Sequence, residues 1–361
     1  MIEGKIIAID ARMIEMSGIG IYIQHLMGQG IYDYALGDIK TIHKYDKNVK
    51  VIPFTASIYS PKEQISFPNS EVRKAGIDIV HFPHYNVPFN YRGKFVVTVH
   101  DLTHIILPDF LGSKIKYYYA KALLNRALKK SLHIYTVSEN SQKDICEIFG
   151  IEKTKISITY DAVDLDFRVK DNVEIDYLYD KFQIPREKKI LMYVGNLKPH
   201  KNLSRLITAF SKLNERDKYR LLLVGKAFAG VDLETEEKRL GIEKLVIHTG
   251  MVTKEELIDL YNLADLFVFP SLYEGFGIPP LEAMACGTPV IAANNSSIPE
   301  VVGDAAILFD AESIDSMMSA IDVVNNSELM DEYVQRGTIR ARYFKWDTTV
   351  EAVKEGIKGI I

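Results

Sequence analysis

Residues Ser271–Ala283 read SLYEGFGIPPLEA. Two carboxylates, Glu274 and Glu282, flank a Gly-Phe-Gly turn and a Pro-Pro pair. Proline lacks an N–H and clashes with the preceding turn, so Pro279 and Pro280 cannot lie inside a helix, but a first turn accepts them. Glu274 is therefore expected in a loop after a strand, and Glu282 in the opening turn of a helix that begins near Pro280. The glycines leave backbone amides bare for close approach. The stretch reads as a binding loop.

Working outward, short β-rich runs alternate with helical patterns along the whole chain, which predicts parallel sheets with crossover helices. In the first half the strands are expected at 5–10, 49–55, 78–83, 94–101, 133–139 and 155–160, with helices near 19–31, 114–130 and 140–149. In the second half the strands are expected at 188–195, 219–225, 244–250, 264–270, 289–293 and 305–310. Helices there fall near 202–213, 254–263, 280–286, 297–302 and 313–325, and the tail from Trp346 reads as one more. The stretch 160–187 is polar, with little apolar periodicity, and reads as a linker between two doubly wound units. In such sheets ligands sit beyond the carboxyl ends of the strands.

The composition is that of a soluble globular protein, and its 361 residues favour two domains. No apolar run is long enough to span a membrane and the start lacks a signal-peptide pattern, so a cytoplasmic location is expected. Cys146 and Cys286 have no metal or disulfide spacing and read as small buried helix residues. The net charge of −4 divides into +5 over residues 1–160 and −9 over the remainder. A balance this mild does not point to nucleic acid.

Several loops carry candidate chemistry. SGIGIY (17–22) opens a helix with Gly18 and Gly20, either a phosphate cradle or a plain glycine turn. It is not the dinucleotide fingerprint, because Ile23 stands where the third glycine belongs. VGNLKPHKNL (194–203) ends a strand and places Lys201 at a helix start, where it could bind an anion or be solvated. His100 and Asp101 in VTVHDLTH fall on opposite faces of a strand and so cannot form a dyad. His100 is a ligand contact or a structural histidine. HFPHYNVP (81–88) sets His84, Tyr85 and Asn86 on a polar, aromatic loop suited to carbohydrate. Residues 114–131 hold six Lys or Arg and no acid, either a solvated face over Leu123, Leu124 and Leu128 or contact with an anionic membrane. A glycosidase would need two carboxylates about 5 to 9.5 Å apart. Glu274 and Glu282, in different backbone settings beside a glycine loop, suit hydroxyl recognition better.

Glu274-Gly-Phe-Gly-Ile-Pro-Pro-Leu-Glu282 resembles the Glu-x7-Glu motif of the retaining glycosyltransferases of family 4. SGIG, VTVHDL, YTVSENS, ITYDAVD, YVGNLKPHKN, the block 269–310 and FKWDTTV are similar to that family in the same order, over nearly the whole chain. The resemblance implies an α/β protein of GT-B fold, with two Rossmann-like, doubly wound domains facing across a cleft. The first would span 1–162 with the C-terminal helix 346–361, on the acceptor side. The second, 163–345, would bind the sugar nucleotide. Glu282 would hold the ribose hydroxyls. Glu274, Gly275 and the amides of Phe276, Gly277 and Ile278 would hold the donor sugar and phosphate. Lys201 would clamp the diphosphate with Gly18 and Gly20, His100 would contact the sugar, and Met251 or Val252 would touch the base. Many members have Arg where this chain has Asn196, so one diphosphate cation would be missing or replaced by Lys198. The family's Asn-Gly-Val-Asp is here Asp161-Ala162-Val163-Asp164.

The resemblance thus implies a retaining hexosyltransferase without cofactor or dedicated metal; Asp164-Leu-Asp166 has metal-like spacing but falls in the linker. The donor is expected to be GDP-mannose, or else a UDP-hexose. The acceptor is expected to be a glycan or lipid-linked glycan of surface polysaccharide, approached through His84, Tyr85 and Asn86. Two alternatives are a sugar-nucleotide epimerase of the same fold and a non-catalytic nucleotide-sugar sensor.

Overall fold

The computed structural model describes residues 4–226 and 231–360. They form two compact units, one of residues Met1–Asp161 with Lys345–Ile361 and one of Ala162–Phe344.

The first unit is built on a parallel sheet of β1 (Ile7–Asp10), β2 (Tyr34–Gly37), β3 (Lys50–Pro53), β4 (Ile79–Phe82), β5 (Lys94–Val99), β6 (Ile134–Thr136) and β7 (Ile156–Ile158), in spatial order β3-β2-β1-β4-β5-β6-β7. β1 and β4, at its centre, are buried at every position. Helices cover both faces of such a strand, so its sequence is a continuous apolar run. The edge strand β3 keeps only Ile52 buried. Six strands lie where the sequence places them. β2 does not appear in that reading: YALG is four residues closed by a glycine, too short for a period to register. The last helix, Trp346–Lys358, packs on this sheet through Val350, Val353 and Ile357, beside Ile7, Ile9 and Tyr135. The Tyr135 hydroxyl donates to the Val353 carbonyl at 3.0 Å. A Cβ on Gly356 would lie 2.5 Å from that hydroxyl, so glycine permits the contact.

The second unit holds β8 (Lys189–Val194), β9 (Tyr219–Val224), β10 (Val246–Gly250), β11 (Leu266–Phe269), β12 (Val290–Ala293) and β13 (Ala306–Phe309), parallel and in order β10-β9-β8-β11-β12-β13. Chain order reverses between β8 and β11, and between β1 and β4 in the first sheet. Those are the places where doubly wound sheets bind ligands. The helix Leu203–Ser211 buries Leu203, Leu206, Ile207 and Phe210 as its stripe requires. Helices Leu233–Leu240 and Ser327–Ala341 were not legible, because their apolar stripes are sparse: the latter buries only Met330, Gly337 and Ala341.

Residues 160–187 are more than a linker. Phe167 is buried edge-on against Tyr261, Lys170 Nζ lies 2.6 Å from Asp259 Oδ1, and Tyr177–Lys181 is helical. Cys286 is buried as expected, though it caps a helix end; Cys146 is only partly buried.

Candidate active site

In the second unit, the loops leaving β8 and β11 are fastened to each other. Beside them, a Cβ on Gly225, just past β9, would fall 2.1 Å from the Gly195 carbonyl oxygen, so glycine lets the ends of β8 and β9 close up. The Leu272 N–H donates to the His200 carbonyl at 2.8 Å. Asn202 adopts the left-handed conformation, at φ +61°, and its amide donates to Pro270 O (3.0 Å) and Ala311 O (2.8 Å). Asparagine tolerates that backbone better than other side chains. The result is a mostly buried ion pair at the switch point: Lys201 Nζ lies 2.5 Å from Glu274 Oε1, with side chains 18% and 14% exposed.

The turn after Glu274 is held from behind. The Glu274 N–H donates to Ser296 Oγ, and the Ser297 hydroxyl reaches the carbonyls of Glu274 and Phe276, each at 3.0 Å. Gly277 takes φ +96°, and a Cβ there would sit 3.2 Å from the Phe269 ring. It caps a helix that spans Ile278–Ala285. The helix thus begins two residues before Pro280, and Glu282 lies past the opening turn expected for it. Proline at 279 and 280 leaves Ile278 as the first-turn residue with an N–H. The Phe276 side chain is buried edge-on against Phe344, so only its backbone is placed to serve a ligand.

Glu282 accepts a 2.8 Å hydrogen bond from the Tyr261 hydroxyl. Burial pushes its carboxyl up to about 7, against the pull of Tyr261; Asp164 adds to the rise and Lys254 opposes it. Lys254 is itself held by Asp164 (2.9 Å) and Asp166 (2.7 Å), the pair with metal-like spacing. Met251 and Val252 follow β10, the former 74% exposed and the latter half-buried; Asn196 is exposed.

The remaining expected site residues belong to the first unit. β5 ends at Val99, so His100 lies just beyond it. His100 Nε2 is 3.0 Å from the Pro83 carbonyl. That carbonyl can only accept, so Nε2 carries the proton and Nδ1 offers a lone pair. Burial lowers the His100 pKa to about 4, which keeps the ring neutral. The helix expected at 19–31 is Ser17–Leu26. Gly20 is not a bare amide: its N–H donates to Met16 O at 2.8 Å, and a Cβ would meet the Ile14 carbonyl oxygen at 2.6 Å. Its glycine serves packing. Gly18 has open space around its Cα.

The 83–86 loop also differs from expectation. Tyr85 and Asn86 are buried, and their polar atoms face inward, Tyr85 to His104 (2.9 Å) and Asn86 to Glu63 and Gln64. They support a site rather than line it. Tyr261, Asn202, Ser296 and Ser297 in one unit, and Arg12, Tyr59 and Glu63 in the other, were not singled out from sequence.

The chain matches the models of two glycosyltransferase families, Glycosyl transferases group 1 over residues 176–340 and Glycosyltransferase Family 4 over residues 44–167. It is 31% identical over 284 residues to O-antigen chain mannosyltransferase B of Escherichia coli, covering 76% of this chain and 74% of that protein. It is 31% identical over 261 residues to O-antigen chain mannosyltransferase RfbU of Salmonella typhimurium, covering 72% and 68%. The crystal structure of Anabaena HepE in complex with UDP and glucose superposes with a TM-score of 0.78 at 20% identity, covering 98% and 99%. The chain belongs to the group 1/family 4 glycosyltransferases. It is a glycosyltransferase, and its two Rossmann-like domains have the GT-B fold.

Proposed function

We propose that this enzyme moves a hexose, mannose first, from a nucleoside-diphosphate sugar to a glycan or lipid-linked glycan acceptor in surface polysaccharide synthesis, with retention and without a dedicated metal. The observation that carries the reading is the Lys201–Glu274 pair at the β8/β11 switch point, with Glu282 on the helix that follows. Mannose and a polysaccharide acceptor are favoured by the two relatives named as O-antigen mannosyltransferases.

Breaking the bond between the anomeric carbon and the diphosphate builds negative charge on the leaving oxygen. Lys201 and the Gly277 and Ile278 amides are the groups proposed to stabilise it. A cation in that role makes a dedicated metal unnecessary. Glu274 takes hydroxyls of the transferring sugar, Glu282 takes the ribose hydroxyls, and Met251 and Val252 meet the base. His100 accepts a sugar hydroxyl at Nδ1. The acceptor oxygen bonds to the anomeric carbon as the phosphate leaves, and its proton passes to the departing phosphate on the same face, so configuration is kept. Peripheral membrane contact is part of the proposal. On the helix Lys114–Lys130, Ile115 and Tyr118 are 82% and 66% exposed beside the exposed Lys114 and Lys116, a basic and apolar surface suited to anionic lipid.

The test is incubation with GDP-mannose, GDP-glucose, UDP-glucose and UDP-galactose, following thermal shift and nucleotide release. Stabilisation by one donor with slow nucleotide release is expected. A protein that binds none of them does not have this function.

A further inference from the structure

The first unit carries a second constellation at its own switch point, where the chain leaves β1 and β4. Arg12, just past β1, is almost fully buried. Its guanidinium lies 2.6 Å from Asp10 Oδ2, 2.8 Å from Glu63 Oε1, and 4.0 Å from the Phe54 ring centre. Two carboxylates neutralise it, so this site offers no uncompensated cation to a phosphate. Arg12 holds Glu63 instead, and Glu63 Oε2 accepts the Tyr59 N–H at 2.8 Å.

That bond fixes an unusual residue. Tyr59 has φ +66°, a left-handed backbone that an aromatic residue adopts only when its surroundings impose it. The residue is nonetheless 56% exposed. Strain combined with exposure points to use by a ligand.

The hydroxyl of Tyr59 is directed as well. His84 Nδ1 is 3.2 Å from the Asn86 N–H, which can only donate, so His84 carries its proton on Nε2. Nε2 is 3.1 Å from the Tyr59 hydroxyl and therefore donates to it. The Tyr85 hydroxyl is paired with His104 at 2.9 Å. With its oxygen accepting from His84, Tyr59 keeps its own proton to donate. Half-buried Asp101 acts electrostatically on Tyr59, Tyr85 and His104. Burial works against its charge, but His104 and the Thr103 amide, at 2.8 Å, hold it below the usual carboxylate range.

An exposed tyrosine, a hydroxyl proton left to donate and a carboxylate suit a neutral polyol with one apolar face. We propose that Tyr59 and Asp101 form the acceptor subsite for a hexopyranose: the ring stacks on the sugar, and the two polar groups bind neighbouring hydroxyls. Arg12, Glu63 and His84 are positioning residues. The inference rests on the proposed transfer to a glycan.

Saturation-transfer NMR tests it on the full chain with methyl α-D-mannopyranoside, methyl α-D-glucopyranoside and methyl α-D-galactopyranoside, with GDP and UDP binding followed separately by thermal shift. At least one glycoside should bind. Tyr59→Phe and Asp101→Asn should each weaken it about tenfold, one hydrogen bond's worth, with nucleotide binding unchanged. Tyr59→Gly, which takes φ +66° without strain, should abolish glycoside binding. If no glycoside binds while a nucleotide does, the subsite is wrong and the transferase reading stands. Glycoside binding retained in both Tyr59→Gly and Asp101→Asn overturns the subsite too. If neither nucleotide binds, the transferase reading fails instead.

Discussion

The Tyr261 hydroxyl donates to Glu282 Oε2 at 2.8 Å, from a tyrosine with no exposed surface. The bond occupies one carboxylate oxygen and leaves the other as the better acceptor for a ligand. Burial raises the Glu282 pKa to about 7, so the group is divided between acid and carboxylate at neutral pH. Only the carboxylate accepts two hydroxyl hydrogen bonds.

Nucleoside diphosphate affinity should therefore rise between pH 6 and pH 8. Glu282→Gln should weaken that affinity at least about tenfold, since a charged hydrogen bond contributes about 1.5–3 kcal/mol, and should flatten the pH profile. Calorimetric titration with GDP and UDP at both pH values measures this. A wild-type affinity independent of pH contradicts the assignment.

Lys201 and Glu274 should separate binding from turnover. Lys201→Met removes the proposed diphosphate cation and leaves Glu274 without its partner, so nucleotide affinity should drop at least about tenfold. Glu274→Gln keeps the hydrogen bond to Lys201, so nucleotide affinity should stay nearly intact while kcat falls more than about tenfold. Equal losses of affinity in both variants would move Glu274 from the sugar to the nucleotide.

The parts legible in sequence are those with local causes. Pro279-Pro280 announces a helix start, Gly277 a turn, and all-apolar strands such as IVHF a buried centre. Glu274 and Lys201 could be singled out because each lies in the segment that follows the carboxyl end of a strand. Their supports could not, because the causes lie far along the chain. Tyr261 meets Glu282 across 21 residues, and Asn202 reaches Ala311 across 109. An asparagine just before a helix was the one available hint for Asn202. Arg12 and Glu63 come together only when the end of β1 and the helix Pro61–Ile65 are folded against each other. The inward turn of Tyr85 and Asn86 has the same origin, since Glu63 and His104 are what they face.

Asp161 should make stability depend on pH. Its side chain is buried with Oδ1 unpaired, and burial raises its pKa to about 8 from an ordinary value of 3.8. A carboxyl whose folded pKa is raised contributes stability fully below its unfolded pKa and loses it as pH rises through the folded one. The Tm should fall between pH 6 and pH 9. Asp161→Asn, of the same shape and always neutral, should remove much of that fall. An unchanged slope in the variant would place the titration elsewhere, with Glu282 the next group to substitute.

Membrane attachment, if it uses the basic helix, should depend on four lysines. Lys121 pairs with the Tyr117 hydroxyl at 3.3 Å, and Arg126 donates to the carbonyls of Val87, Pro88 and Phe89. Lys114, Lys116, Lys129 and Lys130 stay exposed. At about 1 kcal/mol each near an anionic surface, they should hold the protein on anionic vesicles at low salt. Changing all four to Glu should release it in a sedimentation assay. Wild-type protein that stays in the supernatant at low salt points to a soluble acceptor.

The most direct measurement follows the anomeric carbon. GDP-mannose labelled with 13C at C1 is incubated with the enzyme and a mannose-terminated oligosaccharide, in the presence of a chelator. GDP release is read by 31P NMR and the new linkage by the one-bond C1–H1 coupling. A new α-mannoside, formed from the α-linked donor at an undiminished rate, is the expected result. A β-mannoside, or transfer abolished by the chelator, would contradict a retaining, metal-independent transfer.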